Sequence, residues 1–224
     1  MKPFNSDIRY IFDSIATSYD SITSSYAVGR RVEFFVAHAR GKCLEVGAGT
    51  GSISRALFEA GYEVSATDIS PNMVEEMKKK GISAVVCDAE QLPFPDASFD
   101  TVVSSEMLYY LDSPAKFLKE AKRVLKPGGM LLVSSANARV ARWYDWLRTM
   151  VRPFGVGGAY FDDPVHTFFS EGDLRRLVEQ AGFSAVTARK ALIVPVAFLD
   201  KLNRLLERTP FRHAGAFVVL SARK

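Results

Sequence analysis

Cysteine is scarce in this chain: among 224 residues only Cys43 and Cys87 occur. Cys43 opens one apolar, β-branched run and Cys87 closes another. If both runs are parallel strands, the thiols lie at opposite edges of a sheet, beyond the reach of a disulfide. Both therefore read as reduced packing residues. Histidine is nearly as rare, with three copies. No grouping of His, Cys and carboxylates has ligand spacing, so no metal is expected. Long apolar runs are missing too. The longest uncharged one, Ala191 to Leu199, is broken by Pro195 and is far too short to cross a bilayer. The opening Met-Lys-Pro-Phe-Asn-Ser-Asp lacks the apolar core and cleavage site of a signal peptide. A cytoplasmic address is expected.

Repeats and low-complexity tracts are also lacking, and the nearest thing to a linker is the serine-rich stretch from Ser18 to Ser25. A strong charge of one sign is absent, since the net charge is +4. Its distribution is uneven: residues 139–152 carry +3 and residues 191–213 carry +2, leaving the remainder at −1. Apolar residues make up 48% and charged residues 24%, the balance of one globular domain with one core.

From residue 42 onward, short β-branched runs alternate with helical spacing, the pattern of βαβ units. Strands are expected at 43–46, 63–67, 82–86, 99–104 and 130–134, with two more at 185–188 and 216–220. Between them Ser70-Pro71, Ser113-Pro114 and Ser170 with Asp173 mark helix starts. The fold class expected is α/β, a doubly wound, mostly parallel seven-stranded sheet with helices on both faces. Before residue 41 the pattern is helical, with Ile8, Ile11, Phe12 and Ile15 on one face. Residues 1–224 thus read as one domain: an N-terminal helical cap over 1–40, and inserts over 137–169 and 191–213 that form a substrate lid.

Ligands of such sheets bind beyond the carboxyl ends of the strands. Gly47, Gly49 and Gly51 sit there, after one strand and before a helix, where the backbone must turn sharply. Ser52 stands where a dinucleotide fingerprint wants glycine, and no Gly-Lys-Ser/Thr phosphate loop follows. Asp68 ends the second strand, placed to accept hydrogen bonds from a ribose diol. Asp88 follows the third, placed to accept from an exocyclic amine. Either alone could be a loop cap. Three such features at three successive strand ends describe a nucleoside pocket without a phosphate.

The run Leu44-Glu-Val-Gly-Ala-Gly-Thr-Gly51 resembles the first motif of class I S-adenosylmethionine-dependent methyltransferases. Asp88-Ala-Glu-Gln-Leu-Pro-Phe-Pro-Asp-Ala-Ser-Phe-Asp-Thr-Val-Val103 and Arg123-Val-Leu-Lys-Pro-Gly-Gly129 are similar to the type 11 small-molecule subfamily, which includes quinone-biosynthesis enzymes. The likeness runs from about Ile11 to the C-terminus and is strongest over 42–135. It implies a Rossmann-like fold and S-adenosyl-L-methionine as cofactor. It places Glu45, Gly47, Ala48, Gly49 and Gly51 around the methionine end and Asp68 on the ribose. Ile69 and Met73 would border the adenine, Asp88 and Ala89 its rim, with Ser105 nearby and Tyr19 over the cofactor. The family often has a histidine after the fourth strand, where this chain has Tyr109-Tyr110. The Asn/Asp-Pro-Pro-Tyr signature of nucleobase and amide methylation is missing, with Ser104-Ser-Glu-Met107 in its place.

Of the histidines, His38 and His213 read as surface or turn residues, while His166 enters from the first insert and is the best candidate base. A loop-bracing role competes with that reading, and sulfonium methyl transfer needs mainly alignment. Tyr109, Tyr110, Trp143 and Trp146 are the expected acceptor contacts. The inserts otherwise read as sheet packing, a lid on an apolar acceptor, or a peripheral membrane contact. The expected activity is methyl transfer to O, C or N of a small, lipophilic acceptor. The alternatives are an RNA methyltransferase, supported only by the arginine-rich insert, and a non-catalytic partner subunit that binds the same cofactor. Oligomeric state is not legible.

Overall fold

Period-two alternation builds the centre of the molecule, because successive side chains of a strand point to opposite faces. The computed structural model describes residues 5–23, 25–138, 140, 168–191, 200–210 and 215–224. Seven strands form one sheet: β1 (Lys42–Val46), β2 (Glu63–Asp68), β3 (Ser83–Val86), β4 (Phe99–Ser105), β5 (Leu125–Ala136), β6 (Ser184–Ala191) and β7 (Phe217–Arg223). They lie in the order β3-β2-β1-β4-β5-β7-β6. The first five are mutually parallel, and β7 runs antiparallel to β5 and β6. Strand order reverses between β1 and β4, and a crevice opens at that point.

Helices α1 (Asn5–Ile15), α2 (Tyr19–Ile22) and α3 (Ser25–His38) precede the sheet. Those that follow are α4 (Ser52–Glu59), α5 (Pro71–Lys79), α6 (Pro114–Val124), α7 (Glu171–Gln180) and α8 (Asp200–Leu206). One face of the sheet presents Leu44, Val46, Val102, Leu131 and Val133 to Phe117, Leu118 and Val124 of α6 and to Leu174 and Val178 of α7. The other presents Cys43, Val103 and Leu132 to Phe34 and Phe35 of α3 and to Ile53 and Leu57 of α4. Side chains such as Phe35, Phe117 and Leu44 are fully buried. Each contributes about 1.5–3 kcal/mol through removal of apolar surface from water.

Local signals act largely as expected. The Ser70 hydroxyl accepts the Met73 N–H with Pro71 in the first turn, and Ser170 with Asp173 forms a reciprocal capping box. Ser113 departs from expectation: its hydroxyl caps nothing in α6, and its N–H instead donates to Glu90 Oε1 at 2.6 Å. The fifth strand also begins earlier than expected, at Leu125 rather than Met130. Helix α6 ends there, and Lys126 is held by two 2.9 Å hydrogen bonds to the Asp100 carboxylate.

Cys43 and Cys87 are free. Burial pushes each thiol up to about 11, so neither is a thiolate at neutral pH. No described helix is long and apolar enough to cross a membrane.

Both inserts leave the sheet at the edge that carries the crevice. The ends of the first meet where Asn137 bridges Phe169 and Ala138 N–H donates to Phe169 O. Asn137 Nδ2 donates to Gly215 O at 2.6 Å, joining that point to the end of the second insert. Most of both inserts lies outside the described residues.

Candidate active site

The turn after β1 is shaped by glycine. Gly47, Gly49 and Gly51 have φ of +70°, +56° and +81°, in the left-handed region where a Cβ is strained. A Cβ on Gly47 would also run into the Met107 side chain, and one on Gly49 would come within 3.4 Å of the Tyr19 ring. The turn is tied to the neighbouring strand. Gly47 and Ala48 N–H donate to Thr67 O, and Gly49 N–H donates to Asp68 Oδ2 at 2.8 Å.

A cavity opens over this turn, with about 670 Å³ of empty space including its mouth. Gly47, Gly49, Asp68, Ile69, Asp88 and Ala89 form its floor and one wall. Ser105, Glu106, Met107, Tyr110 and Leu111 form the wall on the β4 side. Ile8, Phe12 and Tyr19 from the N-terminal helices roof it. Phe12 stands edge-on to Tyr110 with centroids 5.2 Å apart. The roof is latched by polar contacts. Asp13 Oδ1 accepts from Ser70 Oγ at 2.5 Å, and Asn72 Nδ2 donates to Asp13 O at 3.0 Å. Asp20 accepts from Thr50 Oγ1 and, at 2.7 Å, from Lys80 Nζ.

Three acidic residues line the cavity, Asp68, Asp88 and Glu106, and none of its described lining residues is Lys, Arg or His. Burial raises the Asp68 carboxyl, opposed by hydrogen bonds from the N–H groups of Ser70, Gly49 and Ile69. Asp88 Oδ1 accepts the Glu90 N–H at 2.8 Å. Such a cavity suits a ligand that carries positive charge and hydrogen-bond donors and no phosphate.

Of the residues singled out from sequence, Tyr19, Gly47, Gly49, Asp68, Ile69, Asp88, Ala89, Ser105 and Tyr110 meet at this cavity. Others lie elsewhere. Glu45 is on the opposite face of the sheet from Leu44 and Val46, fully buried, where its Oε2 accepts from Ser54 Oγ of α4 at 2.5 Å. Strand alternation puts it there. Met73 is buried and absent from the lining. Ala48 packs against the Val74, Met77 and Ile82 cluster. A Cβ on Gly51 would meet Ile82 and Met77, so that glycine serves packing of α5 behind the turn. Tyr109 is buried beside the wall, its hydroxyl donating to Glu106 Oε2 at 3.3 Å. His38 Nδ1–H donates to Phe34 O at 2.7 Å, at the far end of α3. His166, His213, Trp143 and Trp146 lie outside the described residues.

Sequence reasoning missed Asp13, Phe12 and Glu106. A carboxylate directly after the fourth strand was the available signal for Glu106. Nothing local marks Asp13, which reaches α5 across 57 residues.

Residues 44–133 match a family described as "Methyltransferase domain". A demethylmenaquinone methyltransferase of Clavibacter sepedonicus is 30% identical over 206 residues, covering 81% of this chain and 84% of that protein. An uncharacterized protein of Methanocaldococcus jannaschii is 27% identical over 218 residues, covering 96% and 98%. Among solved structures, one from Thermotoga maritima described as a SAM-dependent methyltransferase, possible histamine N-methyltransferase, superposes with a TM-score of 0.75 at 24% identity, covering 96% and 99%.

The chain belongs to the class I S-adenosylmethionine-dependent methyltransferases, of the type 11 kind. It is an enzyme, and S-adenosylmethionine is its cofactor. The acidic cavity fits that cofactor, whose sulfonium and ammonium are cationic and which carries no phosphate. When bound, the cofactor supplies an electrophilic methyl group.

Proposed function

We propose that this enzyme methylates a small, lipophilic acceptor at an O, C or N atom. The observation that carries this reading is the aromatic and apolar lining, where Met107, Tyr110 and Leu111 on the β4 side meet Phe12 of the roof. The likeness to a demethylmenaquinone methyltransferase supports the same acceptor class. In this reading Asp68 holds the ribose hydroxyls, Ile69, Asp88 and Ala89 the adenine, and Gly47 and Gly49 admit the methionine end. Tyr19 closes over them. These groups bind and orient, and the roof excludes water, so that the acceptor and the methyl group are held in line. His166, Trp143 and Trp146 belong to the insert whose ends meet at the Asn137–Phe169 bridge, and acceptor selection by that insert is part of the proposal.

The proposal extends to location: a cytoplasmic enzyme that touches anionic membrane surfaces to reach its acceptor. Leu202 and Leu205 of α8 are exposed beside Lys201, Arg204 and Arg208, a pattern that suits such contact. The decisive experiment supplies cofactor labelled in its methyl group and a whole-cell extract that holds metabolites, RNA and protein together, and seeks labelled products by mass spectrometry. A labelled apolar product supports the reading, whereas label confined to tRNA or protein overturns it.

A further inference from the structure

The strands that end at the cavity pair in the order β3, β2, β1, β4. Their ends offer, in that order, Asp88, Asp68, the Gly47–Gly49 turn and Glu106. In the function proposed above, the first three take the adenine, the ribose and the methionine end. The next position in the row, where the transferable methyl group would be presented, belongs to Glu106.

Several features mark Glu106 as placed for use. Its φ is +55°, in the left-handed region, and strained non-glycine residues of this sort gather at functional sites. The bend lets Met107 fill the space beneath Gly47 while the Glu106 N–H donates to Ser134 O at 3.0 Å. The carboxylate is held from β5 and from the turn after β4. Ser134 Oγ donates to Oε1 at 2.8 Å, and Tyr109 OH donates to Oε2 at 3.3 Å. Arg31 Nη1 stands 3.6 Å from Oε1 as an ion pair, with the Arg31 side chain 13% exposed and that of Glu106 15%. An ionised carboxylate offers about four acceptor sites. Two are taken by these hydrogen bonds, so Glu106 keeps capacity to accept from a ligand.

We propose that Glu106 is the catalytic residue that receives the acceptor's proton, with Ser134, Tyr109 and Arg31 as positioning residues. The inference rests on the small-acceptor reading. The nucleophilic atom of the acceptor gives its electron pair to the methyl carbon. The carbon–sulfur bond breaks with its pair left on sulfur, and the proton of the nucleophile passes to a Glu106 oxygen. Charge balances: the cation becomes neutral as the carboxylate becomes a carboxylic acid.

The test compares the wild-type enzyme with Glu106→Gln, Glu106→Asp and Ser134→Ala. The probe is a solvent extract of cell metabolites with methyl-labelled cofactor, followed at neutral pH as label transferred per unit time. Binding of S-adenosylhomocysteine by calorimetry and thermal stability are the second and third readouts. Glu106→Gln keeps the shape and an acceptor oxygen but not the base, and should lose roughly 10²- to 10⁴-fold in transfer rate. S-adenosylhomocysteine affinity should stay within about twofold, and Glu106→Asp should recover part of the rate. Transfer by Glu106→Gln within threefold of wild type overturns the proposal. So does joint loss of rate, S-adenosylhomocysteine affinity and stability, which would make Glu106 a strut between β4 and β5. A wild-type enzyme that binds S-adenosylhomocysteine yet labels nothing in the extract overturns the acceptor reading itself.

Discussion

Asp68 Oδ2 accepts the backbone N–H of Gly49 at 2.8 Å, so the carboxylate at the end of β2 also braces the turn after β1. Its other oxygen accepts the Ser70 N–H at 3.0 Å, which fixes the start of α5. A residue expected to bind the cofactor is therefore also part of the frame that shapes the site. Asp68→Ala should weaken S-adenosylhomocysteine binding about tenfold or more, since charge-assisted hydrogen bonds of about 1.5–3 kcal/mol are lost. It should also lower the melting temperature by roughly 5 °C or more. Calorimetry and a thermal scan read the two effects separately, and unchanged affinity in the folded variant contradicts the assignment.

Gly47→Ala tests the turn itself. The added methyl group is strained at a φ of +70° and meets the Met107 side chain. The left-handed conformation alone costs about 1–2 kcal/mol for a residue with a Cβ. A double-mutant cycle with Met107→Ala should show coupling, because the smaller side chain relieves the collision. Additive effects would place the strain elsewhere.

The latch between the roof and the glycine turn makes a kinetic prediction. Asp20 joins Thr50 and Lys80, and Lys80 Nζ also donates to Thr50 O at 2.9 Å. Asp20 and Lys80 are partly exposed, and such pairs contribute about 0.2–1 kcal/mol. Asp20→Ala should thus leave the melting temperature within about 3 °C while S-adenosylhomocysteine leaves several-fold faster, because the neighbouring Tyr19 lines the cavity. Burial pushes the Asp20 carboxyl up, but Lys80 and Thr50 more than offset it, and it ends below its ordinary value of 3.8. The latch is accordingly complete at neutral pH and is lost only as pH falls below that value. Stopped-flow measurement of release checks the rate.

Glu45 makes a prediction about pH and stability. Burial raises its carboxyl from 4.5 to about 7, against the hydrogen bonds from Ser54. Between those values the unfolded chain ionises while the folded one holds its proton, so stability falls as pH rises through that window. The contribution saturates above about 7 and amounts to at most a few kcal/mol. Glu45→Gln should flatten the decline in melting temperature between pH 4.5 and 7. An identical slope in the variant rules out Glu45 as its source.

Much was decided within short stretches of chain. The period-two runs, the glycine turn, the Ser70 and Ser170 caps and the acids at strand ends follow from local stereochemistry. They were enough to specify a mostly parallel sheet and to point to its strand ends as the binding edge, because each signal spans only a few residues. Tertiary structure decided what those residues do there. Glu45 and Gly47 are two positions apart, yet one is sealed under α4 and the other opens on the cavity. Strand alternation, read against which face carries which helix, makes that division. The roof latch joins Asp13 to Ser70, and the wall joins Glu106 to Ser134 and Arg31. Such contacts between distant segments have no local sequence signal, since they arise only when the sheet brings the strand ends into one row.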